Sequence, residues 1–243
     1  MNESNPVPGN ESKPASPFTN AVNIFTSPAE AFSEIEIRPT KLIPLVVILG
    51  SLCLTMFWYF SIVDFDWYVD DALSITNMSE AQREEAREAM LSMNRTTFMW
   101  FGIAGSAVTI LLIWILQAGY LSLVSALTGD RFRFTHWFSL VAWTGLTALL
   151  SVVGMVVNLL LNTNGQLSAY ELDPLTLANL GMQSSAGSMG IVFNSLNLPM
   201  FWGVALMVMA YRQWLQTSWA RASAIVTGPY VVILGLLTYN ALT

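Results

Sequence analysis

The chain has 243 residues, of which 54% are hydrophobic and only 11% carry a charge. Soluble domains carry about 25% charged residues, so this composition is typical of an integral membrane protein. A net charge of −6 argues against nucleic acid as a partner, and a single cysteine, Cys53, excludes an intrachain disulfide.

The N-terminal segment differs from the rest of the chain in composition. Its first 23 residues are polar and rich in Pro, Ser and Asn, and they lack the apolar stretch of a signal peptide. We predict a disordered tail over residues 1–23 and a membrane domain over residues 24–243.

The segment FTSPAEAFSEI follows the tail and has the pattern of a short amphipathic helix. Ser27 is a suitable N-cap, Pro28 suits the first helical position, and Glu30 would complete a capping box. Phe32 and Ile35 lie three positions apart on one side of such a helix. Because the helix is too short to be stable alone, we expect it to dock on the cytoplasmic end of the bundle.

Five later segments are long, apolar and free of Asp, Glu, Lys and Arg. A helix rises about 1.5 Å per residue, so about 20 such residues cross a hydrocarbon core. The sequence therefore predicts an all-α integral membrane protein, a bundle of five transmembrane helices with a short N-terminal cytoplasmic amphipathic helix. The spans are predicted at about residues 42–63, 97–127, 137–161, 191–211 and 222–242.

The distribution of basic residues predicts the orientation of the spans. Lys and Arg are retained on the cytoplasmic side of a membrane. Most of them precede the first span or lie in two loops on the same side, and the others share an acidic loop. We therefore expect a cytoplasmic N-terminus and an external C-terminus. The residues assigned to the cytoplasmic side are Lys13, Arg38, Lys41, Arg131, Arg133, Arg212 and Arg221.

The first external loop begins with the acidic sequence DFDWYVDD. It lacks the glycine and final glutamate of an EF-hand, so we expect a solvated acidic face rather than a metal site, although a bound cation stays an alternative. Further along, Ser79 and Gln82 have the spacing of a capping box and predict a soluble helix before the second span.

Small and polar residues form a stripe on each of two spans, where they mark faces that pack. We expect both stripes to face the bundle interior and to contact each other. Two readings are open: dry helix packing, or a polar path for a solute or lipid headgroup. The stripe residues are Ser106, Thr109, Gln117 and Tyr120 on the second span, and Thr147, Ser151 and Asn158 on the third.

The sequence carries no recognisable catalytic motif. His136 is the only histidine, and no nucleophile elbow, P-loop or H-E-x-x-H motif is present. The spans contain no ionisable Asp, Glu, Lys or Arg, which argues against an ion-coupled transporter. We therefore predict a protein that is not an enzyme, with no catalytic residue, no cofactor and no metal site.

The loop GDRFRFTHWF between the second and third spans is the strongest candidate for a cytoplasmic interaction face. Alternating arginines and phenylalanines would place rings in the interface and guanidinium groups against anionic headgroups or a protein partner. Ordinary positive-inside anchoring is the alternative reading. Together with the N-terminal helix, the candidate face comprises Phe25, Phe32, Ile35, Arg131, Phe132, Arg133 and Phe134.

In its order of parts the chain resembles the Yip family of Ypt/Rab-interacting membrane proteins, particularly its bacterial branch. The resemblance rests on three segments: IFTSPAEAF, RPTKLIPLVVIL and LVSALTGDRFRFTHWFSLVAW. It implies a five-helix bundle with a cytoplasmic N-terminus, here in a bacterial cytoplasmic membrane. Eukaryotic members act in vesicle trafficking and contact Rab GTPases, but this chain lacks their DLYGP-like segment.

These observations predict a non-enzymatic membrane scaffold or organiser that acts through its cytoplasmic face. The alternative is a passive transporter or lipid-handling protein that uses the polar stripes. The predicted partners are the lipid bilayer, a membrane or cytoplasmic protein, and a second copy of the chain.

Overall fold

The computed structural model describes residues 16–74, 78–182 and 187–242, and in this part of the chain every element of regular structure is helical. This confirms the predicted all-α class for the described residues. A 3₁₀ turn, Gly145–Ala148, joins α7 to α8 in one continuous helical run. The helices are α1 (Pro17–Thr26), α2 (Pro28–Ile37), α3 (Leu42–Ile62), α4 (Phe65–Ser74), α5 (Glu80–Ser92), α6 (Arg95–Thr128), α7 (Phe134–Thr144), α8 (Leu149–Leu161), α9 (Gly187–Ser195), α10 (Leu198–Leu215) and α11 (Trp219–Leu242).

Four helical segments are long and apolar enough to cross a membrane: Leu42–Ile62, Arg95–Thr128, Phe134–Leu161 and Trp219–Tyr239. α10 is not among the four. It has 18 residues. At about 1.5 Å per residue, its length is less than the thickness of a hydrocarbon core. It also carries Arg212 near its C-terminal end.

The fourth predicted span, residues 191–211, differs from the observed helix. Residues 191–195 belong to α9, and α10 begins only at Leu198. Asn197 causes the break, because its side chain accepts a hydrogen bond from the backbone N of Met200 at 2.9 Å and so caps α10. Pro199 occupies the first turn, where its missing N–H needs no partner.

The predicted disordered tail also needs correction. Residues 1–15 lie outside the described part of the chain, but residues 17–23 form most of α1. Ser16 caps this helix by accepting a hydrogen bond from Thr19 N at 3.1 Å, and Ile24 is fully buried. The tail is polar as a whole, but its last residues begin a helix that has its own cap and that continues to the buried Ile24.

The bundle has two chemically different ends. We call the end that carries α1, α2, the α6–α7 loop and the α10–α11 turn the basic end, because it holds most of the arginines. We call the end that carries α4, α5 and residues 162–182 the acidic end. At the acidic end, Asp64 N donates to Gly165 O at 2.9 Å, and Arg95 donates to the carbonyls of Phe60 and Val63 at the end of α3.

The helices cross close to one another where a glycine allows it. The ring of Trp114 on α6 lies 2.8 Å from the position that a Cβ of Gly145 would occupy. A side chain at that position would clash with the indole, since real Cβ contacts at that distance are essentially absent. Gly145 therefore lets α6 pack against the middle of the α7–α8 run.

Candidate functional site: a packed basic end and two connected cavities

α2 lies against α7 and α10 at the basic end of the bundle. Its side chains Ala31, Phe32 and Ile35 are fully buried. The indole of Trp214 on α10 donates to the carbonyl of Phe32 at 3.0 Å, and Gln213 donates to the carbonyl of Ala29 at 3.0 Å. Apolar burial and hydrogen bonds to the backbone thus hold α2 in one register.

The start of α2 differs from the prediction. Ser27 is the N-cap residue, but its side chain makes no capping hydrogen bond, so the predicted box with Glu30 is absent. Ser27 also ends α1, and its backbone N–H donates to Asn23 O at 2.9 Å. Because one residue serves two helices, its backbone conformation suits the junction instead of a capping box.

Phe132 packs inward, not into the membrane interface as the sequence predicted. Its side chain is only 6% exposed and stacks on Trp214 with ring centroids 5.0 Å apart. Trp137 lies beside both rings and donates from its indole to Ser125 Oγ at 2.8 Å. These residues, with Tyr211, form an aromatic cluster beneath α2.

Three other members of the predicted face lie at the surface. Phe134 is exposed and stacks on Phe138. Arg131 pairs with Glu36 of α2, and Arg133 is exposed. The loop therefore contributes its charges to the surface and one of its two rings to the core.

α1 presents an apolar edge to its surroundings. Phe18, Val22 and Phe25 are 79%, 43% and 38% exposed. They follow one another at i, i+4 and i+7, so they lie on one side of the helix, away from the buried Ile24. The sequence predicted Phe25 as part of the cytoplasmic interaction face but placed Phe18 and Val22 in a disordered tail.

The polar stripe on α6 divides into two parts. Ser106 and Thr109 are exposed, whereas Gln117 is partly buried and donates to the hydroxyl of Tyr230 on α11. Tyr120 donates to the carbonyl of Ile225 at 3.0 Å, also on α11.

A proline explains this second contact. Pro229 lies inside α11 and has no N–H, so the carbonyl of Ile225, four residues earlier, lacks its helical partner. The hydroxyl of Tyr120 supplies the missing donor. The inner part of the stripe is therefore hydrogen-bonded to α11.

The second stripe is also divided. Thr147 and Ser151 are buried in the bundle. Asn158 lies farther along and donates to the carbonyls of Glu171 and Leu172 at 2.9 and 3.2 Å, which fastens the following loop to α8. In the described part of the chain, no hydrogen bond is seen between a residue of one stripe and a residue of the other.

Residues of both stripes line one cavity of about 400 Å³, which we call the inner cavity. It lies between α6, the α7–α8 run and α10, and most of its lining is apolar. Gln117 of one stripe and Thr147 and Ser151 of the other contribute polar groups, whereas Asn158 does not line it.

A second cavity of about 480 Å³, the outer cavity, lies at the acidic end. Four aromatic residues line it: Tyr59, Phe60, Tyr68 and Tyr170. Burial raises the pKa of the Tyr68 phenol above its ordinary value, so this group stays neutral at physiological pH. Both cavities are lined by Asp173 and Asn197, so the two spaces adjoin at these residues.

Asp173 is the one charged side chain among the described residues that line either cavity. It is only 7% exposed. Its Oδ1 accepts from Leu175 N at 3.0 Å, and its Oδ2 accepts from the Asn197 amide at 3.0 Å. In the described residues no basic side chain forms an ion pair with it. From the sequence, Asp173 was counted only as a charged residue of a loop, because no pattern in the neighbouring residues indicates that it is buried.

Other candidate chemical groups have structural partners. His136 accepts a hydrogen bond from the backbone N of Arg133 at 3.4 Å, at the start of α7.

In the ranges 16–74, 78–182 and 187–242, no group of three or more His, Cys, Asp or Glu residues is placed to hold a metal ion.

Comparison with known proteins gives one match. The family model of the Yip1 domain matches residues 22–240, which is almost the entire chain. No curated protein and no solved structure matches it.

Proposed function

Because this chain belongs to the Yip1 domain family, we propose that it is a non-enzymatic membrane scaffold that recruits a partner through its basic end. In this proposal α10 is a fifth, short span. It starts beside Asp173 at the acidic end and finishes with Trp214 against α2 at the basic end, so it extends between the same two ends as the four longer segments.

The proposed orientation places the basic end in the cytoplasm of a bacterial cell and the C-terminus outside the inner membrane. Seven of the ten basic residues support it, because they belong to the tail, the basic end or the segment that enters α3. A reporter enzyme active only outside the cytoplasm should work when fused after Thr243 and fail when fused after Thr128. The opposite pattern would overturn the orientation.

The observation that carries the scaffold proposal is the exposed apolar edge of α1, formed by Phe18, Val22 and Phe25 on a helix pair that α2 fixes to the bundle. α1 has no Lys or Arg, so attraction to anionic lipid does not account for it. Exposed arginines lie elsewhere on the same end, including Arg133. We infer that the partner is a protein with an apolar segment flanked by acidic residues.

Site-specific photocrosslinking in native membranes tests this proposal. A benzophenone amino acid at Phe18 should capture one protein, whereas the same probe at Thr163 at the acidic end should not. Capture should fall severalfold in Arg133→Glu and at high salt, because the expected partner is acidic. Capture of only a second copy of the chain, or capture that Arg133→Glu and salt leave unchanged, would contradict the proposal.

The inner cavity favours a second candidate function, the passive handling of a solute or lipid. Its polar groups come from both stripes, and it adjoins the outer cavity at the acidic end. A space of this kind inside a membrane bundle can hold a small molecule or part of a lipid.

Cysteine labelling tests whether the inner cavity is hydrated. In a Cys53→Ala background, a small aqueous thiol reagent should modify Ser151→Cys, which lines the cavity. Ser125→Cys is the matched control, because Ser125 is equally buried but packs against Trp137 at the basic end. Equal protection of both cysteines would show that the bundle is dry and would leave the scaffold as the one proposed function.

A further inference from the structure

Aromatic rings and hydrogen-bond acceptors both line the outer cavity. Tyr59, Phe60 and Tyr68 pack edge to face with one another at its wall, with ring centroids 5.2–6.3 Å apart. Tyr170 adds a fourth ring from the loop after α8. Aromatic faces carry partial negative charge and attract organic cations.

Two acceptor groups in the same cavity lack positive partners among the described residues. Within the described residues, the carboxylate of Asp173 receives hydrogen bonds only from neutral groups, the backbone N of Leu175 and the amide of Asn197. Asn194 Oδ1 is buried and accepts no hydrogen bond in the described part of the chain, although its amide nitrogen donates to Gly190 O at 3.0 Å. Buried acceptors of this kind are costly unless a donor or cation meets them.

Arg95 does not supply this cation. Its guanidinium donates to the carbonyls of Phe60 and Val63 at the C-terminal end of α3, and it does not line the cavity. A positive group that pairs with the Asp173 carboxylate must therefore come from outside the described residues.

We propose that the outer cavity binds the alkylammonium group of an amphiphilic amine, with its apolar chain entering the inner cavity. The ammonium group would lie between Asp173 and the tyrosine rings and donate to Asn194 Oδ1. The inner cavity, which is mainly apolar and adjoins the outer one at Asp173, offers space for the chain. This inference specifies a ligand class for the second candidate function and rests on the same cavities.

Equilibrium binding of three ten-carbon probes to the full chain in nanodiscs provides the test. Decylamine should bind well, decyltrimethylammonium should bind through the rings alone and less tightly, and decanol should bind at least tenfold more weakly than decylamine. Equal binding of decanol and decylamine would overturn the proposal, because it would show that only the apolar chain is recognised.

Two matched pairs of variants locate the site. Asp173→Asn keeps the acceptor shape but removes the charge, and it should weaken decylamine binding at least tenfold. Asp66→Asn removes an exposed acid outside the cavity and should leave binding within twofold. Tyr170 is partly exposed, so its replacement is tolerated structurally: Tyr170→Leu should weaken decyltrimethylammonium severalfold, and Tyr170→Phe should not. Unchanged binding in both Asp173→Asn and Tyr170→Leu would overturn the assignment.

Two outcomes distinguish a failure of the amine site from a failure of the passive transport function. If decylamine binds as expected but does not cross liposome membranes faster with the protein than without it, the amine site stands and passive transport does not. If a different solute crosses and no amine binds, passive transport stands and the amine site does not.

Discussion

Aromatic residues are closely packed at the basic end of the bundle and line a cavity at the acidic end. At the basic end, Phe132, Trp137 and Trp214 stack closely beneath α2, and two of the indoles donate to protein acceptors. At the acidic end, Tyr59, Tyr68 and their neighbours line a cavity and leave a buried carboxylate without an ion pair in the described residues. Aromatic residues therefore close a helix junction where both indoles have internal acceptors, and they frame a space that contains a buried carboxylate.

The largest effect should come from opening the packed end. Trp137→Ala should lower the free energy of unfolding by about 3–5 kcal/mol, because it removes a fully buried ring and its hydrogen bond to Ser125. Tyr170→Ala at the acidic end is partly exposed and should change it by less than about 0.5 kcal/mol. Denaturation in detergent measures both. Similar losses for the two variants would mean that the ends are equally well packed.

A charge beneath α2 should release the N-terminal helices without unfolding the bundle. Phe32→Glu places a carboxylate where the side chain is fully buried, at a cost of about 3–5 kcal/mol. Trypsin cleavage after Lys41 should accelerate at least tenfold; the bond after Arg38 is not a trypsin site because Pro39 follows it. Ala29→Glu adds the same charge at an exposed position of α2 and should not change the rate. Equal cleavage of both variants would show that α2 is not held at the basic end.

A smaller effect is expected between the two ends, where α6 meets α11. Tyr120→Phe removes the donor to Ile225 O and should cost about 1 kcal/mol. In a Pro229→Ala background the helix supplies its own N–H to that carbonyl, so the same substitution should cost clearly less. A double-mutant cycle measures this coupling. Equal costs in the two backgrounds would show that the proline does not create the need for Tyr120.

The smallest expected effect comes from a comparison of two serine caps, one at each end. Ser79→Ala removes the hydroxyl that accepts from Gln82 N in an exposed capping box and should destabilise α5 by about 1 kcal/mol. The backbone N of residue 79 can still donate to the Gln82 side chain. Ser27→Ala should change α2 by only a few tenths of a kcal/mol, because the Ser27 side chain makes no cap hydrogen bond. Hydrogen exchange in the first turn of each helix checks the difference, and equal protection losses would contradict it.

Much of the fold was predicted from patterns that depend only on residues close together in the chain. The capping box of Ser79 and Gln82 is confirmed, since it needs only residues three positions apart. Uncharged apolar stretches predicted the four membrane-length segments, because each residue in lipid contributes nearly independently. The Yip family was recognised from short segments near the membrane and is confirmed over residues 22–240.

The candidate site was less predictable, because its contacts join residues far apart in the chain. Gln117 and Tyr120 were predicted as interior residues, but their partners on α11 are the hydroxyl of Tyr230 and the carbonyl of Ile225, which Pro229 leaves free. The break before α10 depends on Asn197, which also donates to Asp173 from 24 residues away. Neither relation leaves a periodic signal in the sequence.

The sequence by itself determined the class of protein, the apolar segments and the distribution of charge, because composition and hydrogen bonding within a helix do not depend on neighbours. Only the tertiary structure decided that Phe132 packs inward while Phe18 stays exposed, and that Asp173 is buried between two cavities. In lipid an apolar helix surface has no preferred direction until another helix meets it. The partner of each face is therefore selected by side-chain fit and by the pairing of individual donors and acceptors across the bundle.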